Sequence, residues 1–152
     1  MQKLIKILPV ICILLFFSGC KKNDNCKDIE CTSPPGGFVF ELLDKESNEN
    51  LITNGTYQPS DIEVINEATN QKTQFVFISE NNLNLIVINN IGWKNESIDL
   101  DVKAKGSTLF KLHADAKRLT KDCCSFTEYQ NVSISESTFS FDSSKGIYKI
   151  LL

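Results

Sequence analysis

Residues 98–105 read Ile-Asp-Leu-Asp-Val-Lys-Ala-Lys, an unbroken alternation of apolar and charged side chains. Because neighbouring side chains of a β-strand point to opposite faces of the sheet, this pattern predicts a strand with one buried and one solvated face. Gly106 and Ser107 come next and predict a turn into a second strand across residues 109–116. The stretch therefore predicts an antiparallel hairpin with a charged outer face.

Earlier short apolar stretches predict further strands. Residues 38–42 and 62–64 carry apolar side chains at alternate positions. Residues 73–79 and 83–89 flank Glu80-Asn81-Asn82 and predict a hairpin, since Asn tolerates the left-handed backbone of tight turns. Both arms contain continuous apolar runs, so we expect this hairpin to be central in its sheet and covered on both faces.

The carboxyl-terminal part predicts one more hairpin, in which Phe139 and Phe141 lead through residues 143–146 to an apolar strand at residues 147–150. Only residues 114–121 have a composition that suits a helix, and they supply no more than one or two turns. The sequence therefore predicts an all-β protein, with a single antiparallel β-sandwich across residues 37–152.

The amino terminus has the layout of a secretory signal. Lys3 and Lys6 precede a mostly apolar run across residues 8–17, which is too short to span a bilayer as a helix of about 20 apolar residues. The run ends at Phe17-Ser18-Gly19-Cys20, which resembles the lipobox of bacterial lipoproteins. The resemblance implies that residues 1–19 are removed and that Cys20 carries diacylglycerol, so that the protein binds the lipid bilayer through this cysteine.

Residues 20–36 are polar, end in Ser33-Pro34-Pro35-Gly36 and predict a flexible tether between the lipid and the sandwich. Lys21 beside the acylated cysteine is compatible with sorting to the outer membrane. We therefore expect a lipid-anchored protein of the bacterial cell envelope. The alternative is an ordinary secreted protein that is cut near Gly19 and keeps Cys20 as a free thiol.

Charge excludes one class of partner. The whole chain has 16 basic and 19 acidic residues, and residues 1–19 contain only Lys3 and Lys6 among them, so the mature protein carries a formal charge of −5. A nucleic-acid-binding protein needs a basic surface for phosphates, and this composition does not supply one.

Four cysteines remain after Cys20 in the mature chain, and an even number in an exported protein predicts disulfides. A bond between the adjacent residues Cys123 and Cys124 is disfavoured, because their Cα atoms lie only about 3.8 Å apart. We therefore expect Cys26 and Cys31 to pair with Cys123 and Cys124, in either combination. A zinc site is the alternative, but paired CxxC motifs and a second histidine are missing from the sequence.

A resemblance to known β-sandwiches is carried by Phe38-Val39-Phe40-Glu41-Leu42-Leu43-Asp44, Asn50-Leu51-Ile52 and Ile62-Glu63-Val64. These segments resemble the opening of transthyretin-like or carboxypeptidase-regulatory-like domains, and they imply a sandwich fold. As a whole, the chain resembles small outer-membrane lipoproteins of unassigned function.

His113 is the only histidine, and strand alternation places it on the same face as Lys111 and Asp115. It is a candidate general base, although no nucleophile motif such as GxSxG accompanies it. Asp99, Asp101 and Asp115 can supply oxygen ligands of the kind that calcium accepts. A solvated charged face explains the same residues, and we expect no catalytic site, no metal site and no cofactor.

Two aromatic residues are candidates for binding. Trp93 lies between two predicted strands, and Tyr57 lies in a long polar connection. Exposed aromatic side chains on sandwich loops can anchor a ligand. The alternative is that Trp93 closes one end of the hydrophobic core.

These observations predict a non-enzymatic binding or accessory module of the envelope. Another envelope protein is a possible partner, through an exposed sheet edge or the loop that contains Trp93. The rival hypothesis is a small envelope hydrolase or metal-binding protein that uses His113 and the nearby aspartates.

Overall fold

The structure is a computed structural model, and it describes residues 31–121 and 123–152. The predicted signal peptide, the predicted lipidation site at Cys20, Cys26 and most of the predicted tether lie outside the described residues. No helix within the described ranges is long and apolar enough to cross a membrane.

The described residues form eleven strands, which make up two sheets. Their bounds are β1 Cys31–Thr32, β2 Phe38–Leu43, β3 Ile62–Asn66, β4 Gln71–Lys72, β5 Val76–Ile78, β6 Leu85–Ile88, β7 Glu96–Ala104, β8 Ser107–Lys121, β9 Cys124–Ser135, β10 Thr138–Asp142 and β11 Ile147–Leu151. The first sheet, which we call sheet A, has the order β1-β9-β8-β7-β3-β4. The second, sheet B, has the order β10-β11-β2-β6-β5. Short 3-10 turns at Pro59–Asp61 and Glu80–Asn82 are the helical segments of this part of the chain.

The two sheets pack face to face, which confirms the predicted all-β sandwich. Phe40 of sheet B and Phe110 of sheet A are both fully buried, and their ring centroids lie 4.8 Å apart. Each inner face is lined by the alternate apolar residues of its strands, as the pleat of a sheet requires. The core joins both sheets through residues such as Leu42, Ile86, Ile150, Leu100, Val102 and Leu112.

The sandwich was predicted to be antiparallel, and the structure differs from this in that each sheet also contains one parallel pair. Strand β2 pairs in parallel with β11, and β1 pairs in parallel with β9. Parallel partners cannot be joined by a tight hairpin, and in both cases most of the chain lies between them. Local alternation reveals neither the partner nor the direction of such long-range pairs.

The hairpin predicted from residues 98–116 is confirmed as β7 and β8. Lys105 and Gly106 make the turn with φ values of 50° and 82°, which is the left-handed geometry of tight hairpin turns. The helix considered for residues 114–121 does not form. Strand β8 continues to Lys121 and buries Ala114 and Ala116 against the core, because β9 pairs with it along this whole stretch.

The hairpin around Glu80–Asn82 is confirmed as the pair β5 and β6, and Asn81 has a φ of 54°. Its predicted central position was wrong. Strand β5 lies at one edge of sheet B, and Val76 is 49 % exposed. The final predicted hairpin is confirmed as β10 and β11.

A disulfide joins Cys31 of β1 to Cys124 of β9, which are 93 residues apart in sequence. Pairing across β1 and β9 sets these two residues opposite each other. The bond confirms one of the predicted long-range bridges, and Cys123 is disulfide-bonded as well. It also shows that Cys31 and Thr32, which the sequence assigned to the tether, belong to sheet A.

Candidate functional site

Trp93 is held at the surface and does not close the end of the core. The residue is 49 % exposed, and its indole Nε1 donates a hydrogen bond of 3.0 Å to Asn90 Oδ1. The guanidinium of Arg118 lies over the ring, with its Cζ atom 5.5 Å from the ring centroid. A cation at this distance is attracted to the face of an indole, so the ring has a defined orientation.

Hydrogen bonds attach the loop that carries Trp93 to sheet A. Gly92 has a φ of 79°, its N–H donates to Glu96 Oε1 at 3.1 Å, and its carbonyl accepts from Thr127 Oγ1 at 2.7 Å. The Tyr129 hydroxyl donates towards the Ile91 carbonyl at 3.0 Å. Burial raises the pKa of Tyr129, and the nearby Glu96 carboxylate adds to the effect, so the hydroxyl remains a donor.

Arg118 connects the Trp93 loop to β9 and to the segment at Ser33. Its backbone N–H donates to Asn95 Oδ1 at 2.7 Å. Its guanidinium donates to Thr127 Oγ1 at 3.0 Å and to the Ser33 carbonyl at 2.7 Å. A planar guanidinium with several fixed donors suits this bridging role better than the flexible ammonium of lysine.

An open cleft of about 500 Å³ lies beside Arg118. The start of β7 and the middle of β9 border it. We call it the Trp93 cleft, because Arg118 lines it and stacks on Trp93. Its polar lining combines amides, carboxylates and basic groups. These include Asn95, Glu96, Asp115, Lys117, Arg118 and Asn131.

Charges in the cleft balance, and part of its hydrogen-bonding capacity is already used. Asn131 Nδ2 donates to Asp115 Oδ2 at 2.7 Å, and this hydrogen bond is the main reason that the pKa of Asp115 lies below its ordinary value. The Asn131 amide also carries an oxygen that can accept a hydrogen bond from a ligand. The cleft therefore offers both donors and acceptors without a strong net charge.

Tyr57, the second aromatic candidate, lies elsewhere. It is half-buried against the core, and Lys105 Nζ lies 5.6 Å from its ring centroid. Lys105 follows the end of β7, whereas Trp93 precedes its start, and a nine-residue strand spans about 30 Å. The structure therefore does not bring Tyr57 and Trp93 into one site.

His113 and two of the predicted aspartates do come together on the outer face of sheet A. His113 Nδ1 lies 2.7 Å from Asp99 Oδ1, and Nε2 lies 3.9 Å from Asp115 Oδ1. The hydrogen bond with Asp99 raises the pKa of His113 above its ordinary value, against a smaller opposing effect of burial. All three side chains are more than a third exposed.

Asp101 does not join this group. It is only 8 % exposed, accepts a hydrogen bond from Thr108 Oγ1 at 3.1 Å and forms an ion pair of 3.2 Å with Lys103. Across residues 31–121 and 123–152, no group of three His, Cys, Asp or Glu side chains is placed to hold a metal ion.

Sequence reasoning missed two features. Ser133 of β9 is the cross-strand partner of His113, so Asp99, His113 and Ser133 form a row across three strands. Only the strand register reveals this row, and the exposed Ser133 makes no hydrogen bond with His113 in the described structure. The second feature is a pair of exposed aromatic side chains on β10, Phe139 and Phe141.

Comparison of the chain with protein-family models, with curated proteins and with solved structures gave no match.

Proposed function

We propose that this protein is a lipid-anchored, non-catalytic binding module of the bacterial cell envelope, with the Trp93 cleft as its ligand site. One observation carries the proposal. Trp93 remains half exposed although a hydrogen bond to Asn90 and the guanidinium of Arg118, a residue that also lines the cleft, fix its ring.

Such an arrangement favours binding over a structural role. A large aromatic side chain contributes most to stability when it is buried, and the core of this domain is built without Trp93. Arg118, Thr127 and Tyr129 hold the loop in place before any ligand arrives. A preorganised site loses little conformational entropy on binding.

The lining indicates a neutral ligand rich in hydroxyl groups, and an oligosaccharide has this chemistry. Lys117 and Arg118 balance Glu96 and Asp115, so a strongly charged ligand of either sign would meet repulsion. The amides of Asn95 and Asn131 can pair with hydroxyl groups, which both donate and accept. The face of an indole suits the apolar side of a sugar ring.

Lipid anchoring is supported by the sequence Phe17-Ser18-Gly19-Cys20. Arg118 binds the Ser33 carbonyl, so the Trp93 cleft lies at the end of the domain that the chain from Cys20 reaches. Twelve residues lie between Cys20 and Ser33, so the two are at most about 45 Å apart along an extended chain. The cleft would then work close to the membrane surface.

The ligand proposal is tested by screening the purified protein against immobilised neutral and acidic oligosaccharides, followed by calorimetry on the best neutral compound. We expect Trp93→Ala to weaken binding at least about tenfold, because aromatic anchors dominate binding energy. Phe139→Ala is the matched control, since Phe139 is also an exposed aromatic residue. Binding to no saccharide, or equal losses in both variants, would contradict the ligand assignment.

The anchor is tested separately by growing expressing cells with a palmitate analogue. The native chain is expected to take up the label and to fractionate with membranes, whereas Cys20→Ala should lose the label. A labelled Cys20→Ala protein, or an unlabelled native protein, would contradict anchoring and leave the ligand result standing.

A second candidate function, hydrolysis or metal binding, is favoured by the short contact between His113 and Asp99. The exposure of this pair argues against it, because catalytic groups normally work in a water-excluding site. Hydrolysis of model esters that is abolished by His113→Ala, or stoichiometric calcium or zinc lost in that variant, would establish this candidate instead.

A further inference from the structure

Strand β10 displays two aromatic side chains on the side of sheet B that faces the core. Phe139 is 42 % exposed and Phe141 is 50 % exposed. The ring centroid of Tyr148, on β11, lies 4.5 Å from that of Phe141 and 6.1 Å from that of Phe139. The three rings form one aromatic surface, which we call the β10 surface.

Strand register shows that the β10 surface continues the hydrophobic core. Phe141 is paired with Tyr148, and Tyr148 with Phe40, so all three side chains lie on the same face of sheet B. Phe40 is fully buried under sheet A, whereas Phe141 is half exposed. Sheet A therefore does not cover the inner face of sheet B at β10, and this part of the inner face is exposed to solvent.

The backbone of β10 is also available, because it is the outermost strand of sheet B in the described structure. An edge strand pairs on one side only, and its remaining N–H and C=O groups can take up another strand. Proteins usually block such edges with lysine, proline or very short strands. Strand β10 reads Thr-Phe-Ser-Phe-Asp and contains neither lysine nor proline.

The other outer strands are shorter. Strands β1 and β4 have two residues each, and β5 has three, whereas β10 has five. Among the described edges, β10 therefore offers the longest ladder for a new strand, and it is the edge that lies beside exposed core aromatics.

We propose that β10 binds an extended segment of a partner protein, which adds to sheet B as an antiparallel or parallel sixth strand. Backbone hydrogen bonds to β10 would set the register of the added strand. Apolar side chains at every second position of the segment would cover Phe139 and Phe141. This mode of recognition combines main-chain pairing with pockets for alternate side chains.

The size of the surface favours a peptide segment over a second copy of the chain. Phe139 and Phe141 together expose roughly 200 Å² if a Phe side chain buries about 150–250 Å² when covered. A stable dimer needs about 800 Å² from each partner. A bound strand needs less area, because its affinity comes largely from the backbone ladder.

The link that leads into β10 is fixed to sheet A. An opening of about 470 Å³ is lined by Glu136, Ser137, Thr138, Leu151, Leu152 and Lys45. Glu136 and Ser137 form the short link from β9, and Ser137 Oγ donates to the Leu109 carbonyl at 2.5 Å, which fixes the link. An added strand can therefore continue beyond Thr138 without meeting a mobile loop.

The test uses the capped peptide Lys-Val-Thr-Val-Thr-Val-Lys as the probe, with Lys-Val-Val-Val-Thr-Thr-Lys as a control of equal composition without alternation. Backbone amide exchange is measured on the full chain with and without peptide. We expect the β10 amides that point away from β11 to exchange quickly in the free protein and to become protected by the alternating peptide alone.

The double substitution Phe139→Thr with Phe141→Thr keeps strand-forming residues and is expected to weaken peptide binding at least about tenfold. Val76→Thr on β5 is the matched control, because Val76 is 49 % exposed on the other edge of the same sheet. Val76→Thr should leave the affinity for the peptide within about twofold of that of the native protein. Circular dichroism of both variants checks that they remain folded.

Three results would overturn the proposal. One is slow exchange of all β10 amides in the free protein, which would mean that the edge is already covered. The second is equal weakening by Val76→Thr. The third is a concentration-dependent dimer that the double substitution abolishes, since a second copy would then occupy β10. Trp93→Ala should not alter peptide binding, so the outcome is independent of the ligand proposed for the Trp93 cleft.

Discussion

Gly92 is the residue on which the position of Trp93 depends most directly. Its φ of 79° is unfavourable for any residue with a Cβ atom, and a Cβ added there would lie 2.7 Å from the Tyr129 hydroxyl oxygen. We expect Gly92→Ala to lower the free energy of unfolding by about 2–4 kcal/mol, from backbone strain and overpacking together. Urea denaturation measures the loss.

Gly55 provides the control for this prediction. It has a similar φ of 82°, but nothing lies within 4 Å of a Cβ added there. Gly55→Ala should therefore lower the free energy of unfolding by only about 1–2 kcal/mol, from backbone strain alone. Equal losses at the two positions would show that contact with Tyr129 does not constrain the loop.

His113 makes the stability depend on pH. Its pKa is raised by the hydrogen bond with Asp99, so the stabilisation from this contact is fully present below the ordinary pKa of 6.5. It is lost as the pH rises through the raised value. An NMR titration of His113 should show a midpoint above 6.5 that falls in Asp99→Asn.

Asp115→Asn should lower the midpoint of the His113 titration less than Asp99→Asn does. Asp115 Oδ1 is 3.9 Å from Nε2 and acts on the pKa of His113 only through its charge, after the contributions of Asp99. A larger effect of Asp115 than of Asp99 would contradict the assignment of Nδ1 as the main contact.

At the scale of single residues, the sequence predicted which side chains share a face, but not which of them touch. Alternation placed His113, Asp99 and Asp115 on one face of sheet A, and the structure brings them together. Ser133 could not be added to them without the register between β8 and β9. Trp93 contacts Arg118, which lies 25 positions later in the sequence, and no local pattern reveals this contact.

At the scale of elements, β7 and β8 form the centre of sheet A, and β8 carries the deepest contact with sheet B through Phe110. We expect Phe110→Ala to reduce the free energy of unfolding by about 3–5 kcal/mol, because it removes a fully buried ring and leaves a cavity. Thermal or urea unfolding measures this effect.

Leu119→Ala on the same strand is the comparison. Leu119 is among the exposed large apolar residues, so its truncation should cost less than about 1 kcal/mol. Similar losses for the two variants would indicate that the two sheets do not share the core contact between Phe40 and Phe110.

Elements with one buried face were the easiest to predict. Strands β7, β8 and the final hairpin follow strict alternation or lie beside a turn rich in Gly and Ser, and all of them form. The continuously apolar arms of β5 and β6 were misplaced, because an apolar run does not reveal whether its second face is covered by protein or lies at an edge. Residues 114–121 show the same limit, since pairing with β9 overrides a weak helical composition.

At the scale of the molecule, the Cys31–Cys124 disulfide connects the first and the ninth strand. It restricts the unfolded chain across 93 residues, and we expect the double substitution Cys31→Ser with Cys124→Ser to reduce stability by about 2–4 kcal/mol. Both cysteines are replaced so that neither thiol can exchange with the bonded Cys123.

Urea denaturation of this variant and of the native protein gives the difference in free energy. Peptide mapping without reductant checks the pairing, and a peptide that joins Cys31 to Cys124 is the expected product. A native protein in which Cys31 is a free thiol would contradict the described bond.

The overall architecture was predicted from composition and alternation, whereas the order of the strands was not. Two mixed sheets arise from β2 with β11 and β1 with β9, which meet only when nearly the whole chain has folded. Such pairs leave no local pattern, so sequence reasoning reached the class of fold and stopped short of its topology.

The same disulfide determines how the domain would carry mechanical tension. If the bilayer holds Cys20 and a partner pulls on β10, the covalent route runs from Cys31 across the sulfur bridge to Cys124, along β9 and into β10. Strands β2 to β8 lie outside this route. A pull between membrane and partner would therefore stretch one strand and leave most of the sandwich unloaded.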